Sequence, residues 1–120
     1  MKTASSKAKG RKLQQWVRDV LLSKSRILTP DDIRSTSMGA GGEDIQFSPA
    51  ARKLWPFSIE CKANARIAAC RFMEQAEANC PEHVEPMVVM KENRGRPLVM
   101  IDAEYFFELV DELVNIGEDT

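Results

Sequence analysis

Phe57-Ser58-Ile59-Glu60-Cys61-Lys62 alternates apolar and polar residues over six positions. That period of two is the mark of a β-strand with one face in a core. Phe57, Ile59 and Cys61 point one way, and Ser58, Glu60 and Lys62 the other. The strand thus carries a carboxylate and an ammonium side by side on one face.

The chain on either side supplies the partners of this strand. Downstream, residues 64–79 read as a helix offering Ile67, Cys70, the Arg71 stem, Met73 or Phe72, and Ala76 to the core, closed by Cys80-Pro81. Met87-Val88-Val89-Met90 then reads as a buried strand, Asn93-Arg94-Gly95-Arg96-Pro97 as a turn, and residues 98–101 as a further strand. A last helix covers 103–116, with Phe106, Leu109, Val110 and Leu113 as its stripe. Upstream, Asp44-Ile45-Gln46-Phe47 is a short strand. Ser48 to Leu54 fits either a hairpin excursion or a helical turn. Arg34 to Gly42 is polar and Gly-rich and reads as a loop, with Thr29-Pro30-Asp31-Asp32 as a turn or helix start before it. Leu13, Trp16, Val17, Val20 and Leu21 have the spacing of an amphipathic first helix over residues 12–25, and Trp16 is assigned to the core. The order is α-β-β-α-β-β-α, an α/β domain with a small mixed central sheet flanked by helices.

Composition bounds the function. The 120 residues suit one domain, residues 11–117, after a flexible basic arm at 1–10. The net charge of −1 conceals an asymmetry. Residues 1–80 hold 14 Lys/Arg against 8 Asp/Glu, and residues 81–120 hold 3 against 10. The basic part suits a polyanion. Three cysteines, an odd count, and the absence of an apolar signal segment point to a reducing, cytoplasmic setting. No apolar run approaches the ~20 residues of a membrane span. The spacing of Cys61, Cys70, Cys80 and His83 does not fit a zinc site. No Ser-His-Asp arrangement and no Gly-rich nucleotide loop is present.

Asp44 and Glu60 lie on or beside neighbouring strands, so their carboxylates can converge on a hard divalent cation, which takes one or two carboxylates plus water and phosphate oxygens. Lys62 leaves the same face as Glu60 and can offset charge on a phosphorus centre under attack. Gly42-Glu43-Asp44, then Ile59-Glu60-Cys61-Lys62, then a helix, resembles the PD-(D/E)xK nuclease superfamily. The resemblance implies a restriction-endonuclease-like core, with Asp44 and Glu60 as Mg²⁺ ligands, Cys61 lending its backbone carbonyl, and Lys62 as the catalytic lysine. Mn²⁺ is expected to substitute for Mg²⁺, and the product to carry a 5′-phosphate.

Within the superfamily the chain looks most like small Holliday junction resolvases and related phage-type DNA endonucleases. The implied substrate is branched or junction DNA, in a bacterial or phage-infected cytoplasm. Those enzymes carry a Glu in the first helix where this chain has Gln14 and Gln15. Gln15 and Gln75 are assigned as possible support for the site. Lys9, Arg11, Lys12, Arg34, Ser35 and Ser37 are assigned to DNA contact. Helix 103–116 has a wider apolar arc than one core contact needs and is assigned to a homodimer. A repair, restriction-like or replication-fork nuclease of the same fold, or a non-catalytic nucleic-acid-binding module, stays open beside this reading.

Overall fold

A computed structural model describes residues 4–36 and 41–118. The chain runs α1 (Ala4–Ser23), β1 (Ile33–Ser35), β2 (Ile45–Phe47), α2 (Pro49–Leu54), β3 (Phe57–Ala63), α3 (Ala69–Ala78), β4 (Glu85–Lys91), β5 (Leu98–Met100) and α4 (Ala103–Glu118). It is a small α/β protein with two sheets flanked by helices.

The expected single central sheet is therefore divided. β3, β4 and β5 form a three-stranded mixed sheet, β3 parallel and β5 antiparallel to β4. β1 and β2 form a separate antiparallel ribbon, with Ile33 opposite Phe47 and Ser35 opposite Ile45. β1 falls in a stretch expected to be a loop. Its strand state rests on Ile33, which is fully buried together with Ile45 across the ribbon, while Arg34 faces outward and half-buried Ser35 meets Gln15 of α1.

The mixed sheet has a core on each face. β3 and β4 are in parallel register, with Ile59 opposite Met87 and Cys61 opposite Val89. Their odd-numbered residues therefore share one face, and Ile59, Cys61 and Val89 pack there with Leu13, Val17 and Leu21 of α1 and with Ile33, Ile45 and Ala51. Val88 and Met90 face the other way and pack against Phe72 and Ala76 of α3. Each fully buried side chain of this size contributes roughly 1.5–3 kcal/mol.

Three helix assignments shift. α1 begins at Ala4, so residues 4–10, expected as a flexible arm, are helical. No proline interrupts them, Lys and Ala are good helix formers, and a helix already nucleated by packing extends at little cost. Trp16, expected in the core, is 48% exposed. The buried stripe runs through Leu13, Val17 and Leu21, and Trp16 stands on its shoulder. α3 starts at Ala69 rather than at residue 64, because Asn64 still donates its N–H to the Lys91 carbonyl at 3.1 Å and prolongs the sheet.

Ser48 to Leu54 resolves to α2. Ser48 caps it, its hydroxyl accepting the Ala51 N–H at 3.1 Å, with Pro49 in the first turn. The same hydroxyl donates to Asp32 Oδ1 at 2.7 Å, while the Thr29 N–H and hydroxyl donate to Asp32 Oδ2 at 2.7 and 3.1 Å. The Thr29 backbone donor first, then Ser48, holds the Asp32 carboxyl below the usual carboxylate range. The folded state thus favours the charged form, and that stabilisation is present above the pH at which an unfolded aspartate ionises. It is lost as pH falls through the lower folded value. Asp32→Asn is expected to lower the melting temperature at pH 7, and the gap to wild type should close below about pH 4. A gap that stays constant down to acid pH would assign it to something other than the charge.

α4 is capped by Asp102, whose carboxylate accepts the Tyr105 N–H at 2.9 Å. Tyr105 meets Phe57 edge to face at 5.9 Å between centroids. Tyr105 and Leu109 are partly covered, whereas Phe106, Phe107, Val110, Leu113, Val114 and Ile116 are exposed. Among the described residues no helix is long and apolar enough to cross a membrane.

Candidate active site

The backbone of β3 decides what its edge can hold. Toward β4, the Pro56 carbonyl accepts the Glu85 N–H at 3.2 Å and the Asn64 N–H reaches Lys91. Even-numbered residues therefore turn their backbone groups to β4. Odd-numbered residues turn theirs to the opposite edge, where the Phe57 carbonyl accepts Arg52 Nη1 at 2.7 Å. On that edge the Cys61 N–H donates to Asp44 Oδ2 at 2.8 Å. The N–H and C=O of one strand residue leave on the same side. The Cys61 carbonyl thus faces the edge that carries the Asp44 carboxylate.

Glu60 projects onto the α3 face, and its side chain is 10% exposed. Lys62, two residues on, places Nζ 3.4 Å from Glu60 Oε1 and 5.8 Å from the Phe72 ring centroid. Burial foremost, and then the negative charge of Asp44, pushes the Glu60 carboxyl above its usual range, with Lys62 and the Asn79 amide pulling the other way. Asp44 is thus close enough to Glu60 for the two charges to oppose each other. The Cys61 side chain is buried in the α1 core, where burial and the Asp44 and Glu60 charges raise its thiol far above the usual range. It is no nucleophile.

Asp44 is aimed by the turn before it. Gly42 has a φ of 90°, a left-handed conformation that a side chain would strain. Thr36 donates its N–H to the Asp44 carbonyl at 2.8 Å and its hydroxyl to the Glu43 carbonyl, which ties the end of β1 to the start of β2. Glu43 Oε1 is 2.6 Å from Arg52 Nη2, and the guanidinium also lies 4.9 Å from the Phe47 ring centroid.

The structure gathers Asp44, Glu60, Cys61 and Lys62 and spreads the other expected residues. Gln15 donates to the Ser35 hydroxyl at 2.7 Å and braces β1 from α1, while Gln14 is buried. Gln75 is exposed, and Asn79, the exposed C-cap residue of α3, is the amide whose influence on Glu60 favours the charged carboxylate. Arg34 pairs with Asp31 at 3.2 Å on the surface. Lys9, Arg11 and Lys12 are exposed on α1, and Ser37 lies outside the described residues. Asn79 and the Glu43–Arg52 pair were not singled out from the sequence.

The donor set is two carboxylates and a strand-edge carbonyl, all oxygen. Among the described residues no group of three or more His, Cys, Asp or Glu side chains is placed to hold a metal. Two carboxylates and a carbonyl are nevertheless the set that suits Mg²⁺, which keeps water and phosphate oxygens in its remaining positions. Like charges pressed together under partial burial are relieved by a cation. Comparison of the chain with family models, curated proteins and solved structures finds no match.

Proposed function

We propose that this protein is a Mg²⁺-dependent endodeoxyribonuclease with a restriction-endonuclease-like active site, acting on branched DNA. The observation that carries this reading is the bond from the Cys61 N–H to Asp44, which sets a carboxylate beside the strand-edge carbonyl next to Glu60 and Lys62. Asp44, Glu60 and the Cys61 carbonyl would hold the cation, and Mn²⁺ would replace Mg²⁺. A bound divalent cation supplies positive charge against the charge that grows on a phosphodiester under attack. Glu60 anchors the Lys62 ammonium. Lys62 orients the attacking water and meets the developing negative charge, in a pocket where burial strengthens that interaction. The resemblance to resolvases favours a junction substrate, a 5′-phosphate product and a cytoplasmic setting.

The test is a panel of four-way junction, flap, linear duplex and single-stranded DNA incubated with Mg²⁺. Junction nicking that stops on chelation is the expected result. Preference for another member of the panel would favour a repair, restriction-like or replication-fork enzyme of the same fold. Inactivity on every substrate with Mg²⁺ and Mn²⁺, together with no calorimetric metal binding, would leave a non-catalytic binding module.

A homodimer fits the exposed apolar residues of α4, which bears Glu104, Glu108, Asp111 and Glu112 and no basic residue. Two symmetric cuts across a junction call for two sites related by a dyad. Leu113, 69% exposed, covers no core of its own chain. Leu113→Glu is therefore expected to convert the dimer to monomer in sedimentation while leaving the melting temperature of the isolated domain within a few degrees. A monomeric wild-type protein would remove the dimer.

A further inference from the structure

A hollow of about 680 Å³ opens at the carboxyl ends of β3 and β4, apart from the metal-ligating carboxylates. Lys9 and Lys12 of α1 line one wall, and Lys91 and Arg94, at the end of β4 and in the turn after it, line the other. The lining holds one acid, Glu92. Between the cationic walls the floor is apolar, made by Leu13, Ala63, Pro97 and the half-exposed indole of Trp16. Lys9 Nζ bridges the two walls by donating to Asn93 Oδ1 at 2.9 Å.

Cationic walls over an apolar, aromatic floor are the physical requirements for holding a single nucleic-acid strand. Backbone phosphates meet the ammonium and guanidinium groups, and a base stacks on the indole. An acidic peptide helix is the competing occupant, and α4 of a second copy has that composition. A helix is about 10–12 Å wide, so it would enter this hollow only with the side chains of one turn. A stacked nucleotide enters it whole.

The position also connects to the candidate active site. Ala63 on the floor directly follows Lys62, and Ala63 and Lys91 are register partners at the ends of their strands. Ala63 packs on the α1 face, whereas Lys62 and Glu60 lie on the α3 face, so a strand held in the hollow would have to pass over the end of β3 to reach them.

We propose that the hollow between α1 and the β4–β5 turn binds a single-stranded segment of DNA, with Lys9, Lys12, Lys91 and Arg94 on phosphates and Trp16 under a base. The choice of DNA rests on the nuclease reading, whereas strand binding in the hollow does not require cleavage. Branched DNA offers such a segment wherever its arms part.

Arg94 provides a clean test. Its φ of 62° is left-handed, so Arg94→Gly removes the cation and relieves the backbone together. Binding of a fluorescent oligothymidylate of about 12 nucleotides is followed by anisotropy in EDTA, where nothing is cut. Four phosphate contacts give a slope of log affinity against log salt near roughly −2.8, and Arg94→Gly should reduce its magnitude by about 0.7. Trp16→Leu should weaken binding roughly tenfold with the slope unchanged. Sedimentation of Arg94→Gly should match wild type.

Absence of oligonucleotide binding by wild type, or wild-type binding and slope in Arg94→Gly, would overturn the proposal. So would a change of oligomeric state in Arg94→Gly, which would give the hollow to α4 of a second copy. The two readings fail separately. Strand binding lost in the hollow variants, with no cleavage of any DNA, defeats the nuclease and keeps the hollow. Metal-dependent cleavage with strand binding indifferent to Arg94 and Trp16 does the reverse.

Discussion

Glu60→Gln and Asp44→Asn are each expected to reduce Mg²⁺-dependent cleavage by at least about a thousandfold while the protein stays folded. The choice of amides follows from the geometry. Asp44 accepts the Cys61 N–H at 2.8 Å, and an alanine there would leave that donor without its partner and disturb the strand edge. An asparagine oxygen still accepts it and removes only the charge. Glu60 is buried and stands against the charge of Asp44, so its carboxylate burdens the fold except for its bond to Lys62. Glutamine keeps the shape and removes the repulsion, at the cost of leaving the Lys62 ammonium without its acid. The two effects oppose each other, and melting temperatures within a few degrees of wild type are expected. Charges that serve a cation and contribute little to folding give this combination of lost activity and kept stability. Cleavage at the wild-type rate in Asp44→Asn would end the metal assignment. A large fall in melting temperature in both variants would make the carboxylates structural.

Much of this site is legible in the sequence because strand phase is local. Alternation through residues 57–62 put Glu60 and Lys62 on one face and Cys61 on the other, and the structure shows the ion pair and the buried thiol. The proximity of Asp44 was expected from pairing of adjacent strands, and its cause is different. β2 and β3 are not hydrogen-bonded neighbours, and the link is one carboxylate on one backbone amide. That bond spans 17 residues and leaves no periodic trace in the sequence. β1 was hidden for a related reason. Three residues with one buried side chain cannot show a period of two, and the signal for a strand lies in Ile45 across the ribbon. Trp16 misleads by its chemistry. Its spacing fits the α1 stripe, but the sheet beneath is only three strands wide and leaves the indole half in solvent. The same exposure makes Trp16 available as a stacking platform.

Arg52→Ala is expected to cost about 3 kcal/mol of stability, which lowers the melting temperature by about 10 °C for a domain of this size. The guanidinium joins three elements. It donates to the Phe57 carbonyl at the start of β3, pairs with Glu43 ahead of β2, and covers the Phe47 ring from α2. Glu43 and Arg52 side chains are 14% and 25% exposed, so water compensates little when the pair is broken. Glu43 Oε2 is already buried without a hydrogen-bond partner, and Arg52→Ala would strip the other oxygen as well. The main penalty is therefore the carboxylate left behind, not the pair that is lost. It follows that Glu43→Gln in the Arg52→Ala background should restore part of the stability, and the double-mutant cycle should show coupling above about 1.5 kcal/mol. Arg52→Lys should fall between wild type and alanine, because an ammonium cannot serve Phe57 and Glu43 with one planar fork. Activity should fall in Arg52→Ala even well below its melting temperature, since Glu43 is joined to Asp44 and its tether helps aim that carboxylate at the β3 edge. A shift of less than about 2 °C would place the pair among surface ion pairs, worth roughly 0–1 kcal/mol. The aim of Asp44 would then rest on Gly42 and Thr36 alone.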